Sequence, residues 1–178
     1  MRTLSKAGEI NGLVAQAIGH AERGAVGPAF ETSRDALRQA WALHPRGLEQ
    51  QTRWAASLSV ALGSVGVCHL MRREWREALD CYRRAIRILL WLERWGWDWR
   101  GPFHVLRLAA FLHTSLNEKH EAGIYLRMAH DLAKRYAGAG SAGEADALDS
   151  FALHHEMHGE RERQARYEAQ AAAIRSKL

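Results

Sequence analysis

The chain has 178 residues, a length that predicts one domain and is too short for two well-cored domains without a visible linker. Hydrophobic residues make up 47% of the sequence and charged residues 25%, which excludes a disordered or fibrous protein. The net charge of +5 would permit contact with nucleic acid. Such a charge is evidence about solubility and non-specific attraction rather than about a particular function.

Helix-ending residues divide the chain into eight predicted helices. Gly24 is expected to end the first by taking the left-handed conformation, and Pro28 and Pro102 to open the second and fifth. Asn117 is placed to cap the sixth helix, and Ser141, followed by a glutamate three residues later, has the capping-box pattern for the seventh. Tight turns alternate with longer loops, which predicts stacked helical hairpins. The predicted helices cover about residues 5–23, 28–44, 48–71, 74–95, 102–115, 117–136, 141–158 and 160–177.

Small and large residues recur along the predicted hairpins. The third and fourth helices repeat in the fifth and sixth at a shift of 44 residues, and the eighth helix extends the pattern at a shift of 43. Repeats in this range predict a helical array. Small residues let helices approach closely, so Gly66 is expected to let the two helices of its hairpin touch. The matched positions are Leu62, Val65, Gly66 and His69 with Leu106, Ala109, Ala110 and His113, Ala78, Tyr82 and Ala85 with Ala122, Leu126 and Ala129, and then Ala165, Ala169 and Ala172.

These positions resemble the tetratricopeptide repeat (TPR) family, whose pattern has a large residue, Leu and then Gly or Ala on the first helix, and Ala, an aromatic residue and Ala on the second. The long spacing is similar to the kinesin-light-chain type of repeat. The resemblance covers nearly the whole chain, although the first pair and the first helix of the fourth pair match weakly. It implies an all-α fold, a right-handed α-solenoid of about four antiparallel helix pairs, in a single domain over residues 1–178.

The resemblance also implies where a partner would bind. In this family the first helices of successive pairs line a concave groove, so the third, fifth and seventh helices are expected to contact a partner protein or peptide. Packing of the apolar part of the groove against the first helix is the alternative. The family's carboxylate clamp is absent, because its positions carry Gly63 and Val67. The groove-facing candidates are Val60, Gly63, Val67 and Leu70 on the third helix, His104, Arg107, Phe111 and Thr114 on the fifth, and Ser150, His154 and His158 on the seventh.

Four tryptophans cluster after the fourth helix. Trp91 and Trp95 share a helix face and are expected to lie in the core, sealing the hairpin junction. Trp97 and Trp99 fall in the next loop beside arginines. For these two residues, contact with a partner and packing in the core are about equally favoured.

Catalytic and metal-binding patterns are not found in the sequence. There is no phosphate-binding loop, no nucleophile elbow and no evident pair of carboxylates on a cleft, so neither an enzyme nor a cofactor is expected. His154, His155 and His158 lack the zinc-protease spacing and an evident third partner, which favours packed or solvated histidines over a metal site.

The sequence therefore predicts a non-enzymatic, cytoplasmic adaptor or scaffold that binds another protein. Cys68 and Cys81 are expected to be free thiols in a reducing cytosol, and the apolar run of residues 57–70 is too short to cross a membrane. The basic stretch of the fourth helix is interleaved with acidic residues, which makes nucleic acid an unfavoured partner. A dedicated chaperone for a secreted or assembling client, a nucleic-acid- or metal-dependent accessory, and homo-oligomerisation stay open as alternatives.

Overall fold

A computed structural model describes the backbone of residues 2–178 and the side chains of residues 6–178. Within that range the chain forms eight α-helices and no strand, so the prediction of an all-α fold is confirmed. The helices are α1 (Arg2–Glu22), α2 (Val26–Trp41), α3 (Leu48–Met71), α4 (Trp75–Glu93), α5 (Arg100–Ser115), α6 (Lys119–Ala137), α7 (Ala142–Met157) and α8 (Arg161–Arg175).

The helices form two compact units, Met1–Trp97 and Asp98–Leu178. In the first unit α1 pairs with α2 and α3 pairs with α4, and α3 also packs on α1 and α2. In the second unit α5 pairs with α6 and α7 pairs with α8, and α7 also packs on α5 and α6. The prediction of a single domain over residues 1–178 stays a prediction.

A residue in the left-handed conformation ends the first helix of every hairpin. The N–H of the next residue then donates to the carbonyl of a histidine five residues earlier, at N–O distances of 2.8–2.9 Å. Asn117 therefore does not cap α6 as predicted, because it occupies this left-handed position and Glu118 becomes the N-cap. The left-handed residues, with φ of 60–73°, are Gly24, Arg73, Asn117 and Gly159.

A histidine–glutamate pair joins the two helices in three of these hairpins. The histidine lies in the last turn of the first helix and the glutamate is the N-cap of the second. The first hairpin has Ala25 where the others have glutamate, so it lacks the pair. The Nδ1–Oε2 distances are 2.6 Å for His69–Glu74, 2.6 Å for His113–Glu118 and 2.9 Å for His155–Glu160.

Close packing of α3 on α4 depends on Gly66. A Cβ added to Gly66 would lie 2.6 Å from Cε1 of Tyr82, so the ring occupies the space that a side chain at position 66 would need. Tyr82 is fully buried, and burial raises the pKa of its phenol well above the usual value. Ala78 and Ala85 are also fully buried. The expected role of Gly66 is confirmed.

The last hairpin has a different register from the predicted one. Ala165, Ala169 and Ala172 are exposed, whereas Ala171 is buried between the half-buried Tyr167 and Ile174. The shift from Ala129 is thus 42 residues rather than 43, and Leu148 and Ala152 on α7 are buried at the same 42-residue shift from Leu106 and Ala110. The cause is loop length, since residues 94–99 separate α4 from α5 but only residues 138–141 separate α6 from α7.

The capping box of α7 is confirmed. The N–H of Glu144 donates to Oγ of Ser141 at 3.2 Å, and the carboxylate of Glu144 accepts from the N–H of Gly140 at 2.6 Å. Other boundaries differ by a few residues. Pro28 and Pro102 each occupy the third position of a helix rather than the first, because α2 begins at Val26 and α5 at Arg100.

Trp91 and Trp95 are not core residues, which corrects the prediction for them. Their side chains are 36% and 53% exposed and meet each other edge to face, with ring centroids 6.2 Å apart. The buried face of α4 is formed by Ala78, Tyr82 and Leu92, among others, and the two tryptophans lie off that face.

Among the described residues α3 is the one helix long and apolar enough to cross a membrane, judged by length and composition alone. Within its apolar window 56% is buried inside the structure, as expected for a core helix.

Candidate partner-binding groove

A cavity of about 210 Å³ lies between α5 and α7 in the second unit. It is lined by six of the seven groove candidates that the sequence placed in this unit, all except His158, and we call it the groove. Four of them recur at helical spacing on α5 and therefore share one face of that helix. The candidates in the lining are His104, Arg107, Phe111 and Thr114 on α5 and Ser150 and His154 on α7; Leu108, Ala110, Leu126, Leu153 and Met157 complete it.

Arg107 is held in place within the groove. Its Nε donates to Oγ of Ser150 at 2.7 Å, and that hydroxyl donates to the carbonyl of Asp146 at 3.1 Å. The guanidinium carbon also lies 5.3 Å from the centroid of the Phe103 ring, within range of a cation–π interaction. Both Nη atoms are left without an acceptor among the described residues, so a ligand carboxylate or carbonyl could bind there.

The histidines of the groove are neutral near pH 7. Burial lowers the pKa of His154 to about 4, with smaller contributions from His158 and His155. Burial and the charge of Arg107 lower the pKa of His104. Arg107 is consequently the single charged side chain in the lining of this groove.

Hydrogen bonds assign the tautomer of His154. The hydroxyl of Thr114 donates to the carbonyl of Ala110 at 2.9 Å, so it has no second proton to give. The Nδ1 atom of His154, 2.8 Å from that hydroxyl, must then be the donor. Its Nε2 carries the lone pair and is a hydrogen-bond acceptor.

The rest of the groove is apolar and in part open to solvent. Leu153 and Met157 are 42% and 45% exposed, and Phe111 is half-buried. The arrangement suits a ligand with an apolar side chain beside an anionic or hydrogen-bonding group. The sequence did not single out Leu153 and Met157, although they lie one residue before and three after His154, which puts them within one turn of it.

The remaining candidates lie elsewhere. Val67 is 37% exposed and Leu70 half-buried on α3 in the first unit. Trp97 is 39% exposed and lines a different cavity of about 360 Å³ with Asn11, Arg53, Val60 and small residues of α1 and α3. These positions stay predictions as partner contacts.

Trp99 is used for packing within the second unit. Its ring meets that of Phe103 with centroids 5.4 Å apart, and a Cβ added to Gly143 would lie 3.0 Å from Cη2 of Trp99. Much of the ring surface is therefore covered by its own unit, and the side chain is half-buried.

The three histidines near the end of α7 each have a local environment that does not resemble a metal site. His155 pairs with Glu160 and His154 with Thr114, and the ring of His158 lies 4.8 Å from that of His154, centroid to centroid. Across the described part of the chain no group of three or more His, Cys, Asp or Glu is arranged to hold a metal ion.

No family model matches the chain, and no curated protein matches it. The crystal structure of BtubC (BKLC) from P. vanneervenii is similar, with a TM-score of 0.81 at 18% identity over 98% of this chain and 65% of that one. The chain therefore spans less than two thirds of the length of BtubC.

Two further structures are similar over most of their own length. MamA has a TM-score of 0.60 at 15% identity, covering 94% of this chain and 79% of that one. A Podosopora anserina putative kinesin light chain with nearly identical TPR-like repeats has a TM-score of 0.59 at 13% identity, covering 96% and 97%. At these identities the likeness shows the fold, and the chain has the TPR-like helical-repeat fold that its sequence pattern resembles.

Proposed function

We propose that the protein is a non-enzymatic interaction module that binds a segment of a partner protein in the groove between α5 and α7. One observation carries the proposal: six residues chosen from the sequence, on two helices, line a single cavity with a single charged group. The TPR-like fold supports it, since such arrays expose helix faces on which partners bind.

The groove supplies both parts of a specific contact. An apolar side chain of the partner would lie against Phe111, Leu153 and Met157, where burial of apolar surface gives affinity. A carboxylate or main-chain carbonyl would accept from the Nη atoms of Arg107. Because Ser150 already orders the guanidinium, little side-chain freedom is left to lose on binding. An amphipathic helix or an extended segment would both fit.

The same geometry argues against catalysis in the groove. Thr114 and His154 resemble a nucleophile and its base, but the hydroxyl donates to a carbonyl and Nδ1 carries the proton. The imidazole cannot accept the hydroxyl proton in this arrangement, as general-base activation would require.

A pull-down from the native host, followed by mass spectrometry, tests the proposal. The double variant Arg107→Glu, Phe111→Ala should lose the captured partner, with affinity at least about tenfold lower. Arg87→Glu, Ile124→Ala is the matched control, because these are exposed positions outside the groove. Both variants should retain the helical circular dichroism of the wild type. Unchanged affinity in the first variant would show that the contact lies elsewhere.

The number of captured partners then distinguishes two roles. One stable client indicates a dedicated chaperone, whereas several unrelated partners indicate an adaptor.

A further inference from the structure

A second cavity of the second unit lies between α6 and α8, with α7 as its floor. It has a volume of about 440 Å³, and we call it the cleft. It shares only Leu126 and His154 with the lining of the groove. The sequence pattern did not predict it.

The walls of the cleft carry an excess of positive charge. Lys119 and Arg127 line it from α6, Arg163 and Arg166 line it from α8, and Glu160 supplies the single carboxylate. His120 and His155 add imidazole nitrogens that can form hydrogen bonds.

Glu160 does not neutralise the whole cleft. Its carboxylate already accepts from Nζ of Lys119 at 3.1 Å, from Nη1 of Arg163 at 3.1 Å and from the imidazole of His155 at 2.9 Å. Hydrogen bonds from Lys119 and His155 hold its pKa at about 2, so it stays ionised. Arg127 and Arg166, one on each wall, are not among the partners of Glu160. Neither of them has another carboxylate partner among the described residues.

Arg127 lies close along the wall of the cleft. A Cβ added to Gly123, which also lines the cleft, would lie 3.4 Å from Nη1 of Arg127. The guanidinium therefore lies next to the backbone of α6 at Gly123.

The floor of the cleft is apolar and aromatic. The rings of Phe151 and Tyr167 stack with centroids 4.9 Å apart, and Leu126 also lines the cleft. Cations and aromatic rings therefore line the same cleft.

We propose that the cleft binds an acidic segment of a partner protein, with carboxylates at Arg127 and Arg166 and an apolar side chain on Phe151 and Tyr167. Charge complementarity selects an acidic occupant, and the aromatic lining selects a protein segment with an apolar side chain rather than a small anion. The proposal concerns a surface separate from the groove and does not depend on the function proposed for the groove.

Fluorescence anisotropy with a labelled peptide, Glu-Glu-Phe-Glu-Glu, tests it on the full chain at an ionic strength of about 0.15 M. Arg127→Ala, Arg166→Ala should weaken binding about tenfold, because two charge-assisted hydrogen-bonded pairs are lost. The control Arg87→Ala, Lys177→Ala removes the same charge from exposed positions outside the cleft and should change affinity by less than about twofold. The groove variant Arg107→Glu, Phe111→Ala should also leave this peptide bound.

Three results would overturn the proposal. Equal weakening in the cleft variant and the control would show general attraction to a basic protein. Loss of the peptide in the groove variant alone would place it in the groove. The third result is that tripolyphosphate displaces the peptide at a concentration below the dissociation constant of the peptide, and that Arg127→Ala, Arg166→Ala no longer binds tripolyphosphate. This result would identify a small oxyanion as the ligand.

Discussion

The imidazole of His69 and the carboxylate of Glu74 join the end of α3 to the start of α4 across a tight turn. Their side chains are 16% and 37% exposed, so the hydrogen bond is partly shielded from water. The ring of Phe30 meets His69 edge to face, with centroids 4.9 Å apart, and limits where the imidazole can turn. The pair therefore fixes both the turn and one edge of the packing between hairpins.

Removal of the acceptor should destabilise the fold. We expect Glu74→Ala to lower the free energy of unfolding by about 1–2 kcal/mol, because the shielded Nδ1 of His69 loses its partner. Glu77→Ala, in the first turn of the same helix but exposed, should cost less than about 0.5 kcal/mol. Urea unfolding followed by circular dichroism measures both. Equal effects would mean that the loss reflects helix-end charge rather than the pair.

The sequence contained this pair in a form that could have been recognised. Histidine and glutamate five residues apart recur at 69 and 74, 113 and 118, and 155 and 160. The repeat pattern included His69 and His113, but neither His155 nor the glutamates. The link to glutamate was missed because it depends on the left-handed residue between them, and Arg73 gives no sequence signal for that conformation.

At the scale of the helices, the contact between α3 and α4 is decided by one missing side chain. Gly63 and Gly66 lie one turn apart on α3, yet a Cβ would meet nothing within 4 Å at the first and the Tyr82 ring at 2.6 Å at the second. The two positions thus separate the intrinsic cost of glycine in a helix from its packing benefit.

Alanine at these two positions should have opposite effects. Gly63→Ala is expected to stabilise the protein by up to about 1 kcal/mol through helix propensity. Gly66→Ala should destabilise it by about 1–3 kcal/mol, because Tyr82 must move in a closely packed interior. Thermal and urea unfolding of the two variants provide the comparison. A stabilised Gly66→Ala protein would show that the Tyr82 ring moves at little cost.

Helix existence was more predictable than helix register. Eight helices were expected and eight are found in residues 2–178, since Pro, Gly and a capping box fix most boundaries locally. The register of α8 depends on the length of the loop before α7, which no local pattern reports. The predicted register was wrong by one residue on α8 and placed Ala165 in the packed face. In the structure Ala165 is exposed and Ala171 is buried.

At the scale of the molecule, that register explains which surface was predicted and which was not. The groove follows from α5, whose repeat positions were matched correctly, and from His154 on α7. The cleft depends on which face of α8 carries Arg166 and Tyr167, and the predicted register placed that face wrongly. Side-chain hydrogen bonds such as that of Arg107 to Ser150 join positions 43 residues apart and follow only from the fold.

The uneven distribution of tryptophan along the chain makes the single-domain prediction testable. Six of the seven tryptophans lie in Met1–Trp97 and only Trp99 lies in Asp98–Leu178, whereas helices fill both units. Tryptophan fluorescence therefore reports mainly on the first unit, and circular dichroism at helical wavelengths reports on both. Each unit has two hairpins, fewer than the three or more repeats that helical arrays need for stability.

We therefore expect urea unfolding curves from the two probes to coincide, as a two-state transition requires. The comparison is made on the full chain, with Gly66→Ala as a second sample because its lesion lies in the first unit. In a single domain this variant shifts both curves equally to lower urea. If fluorescence shifted while part of the helical signal kept the wild-type midpoint, residues 98–178 would be an independently folding domain and the single-domain prediction would be wrong.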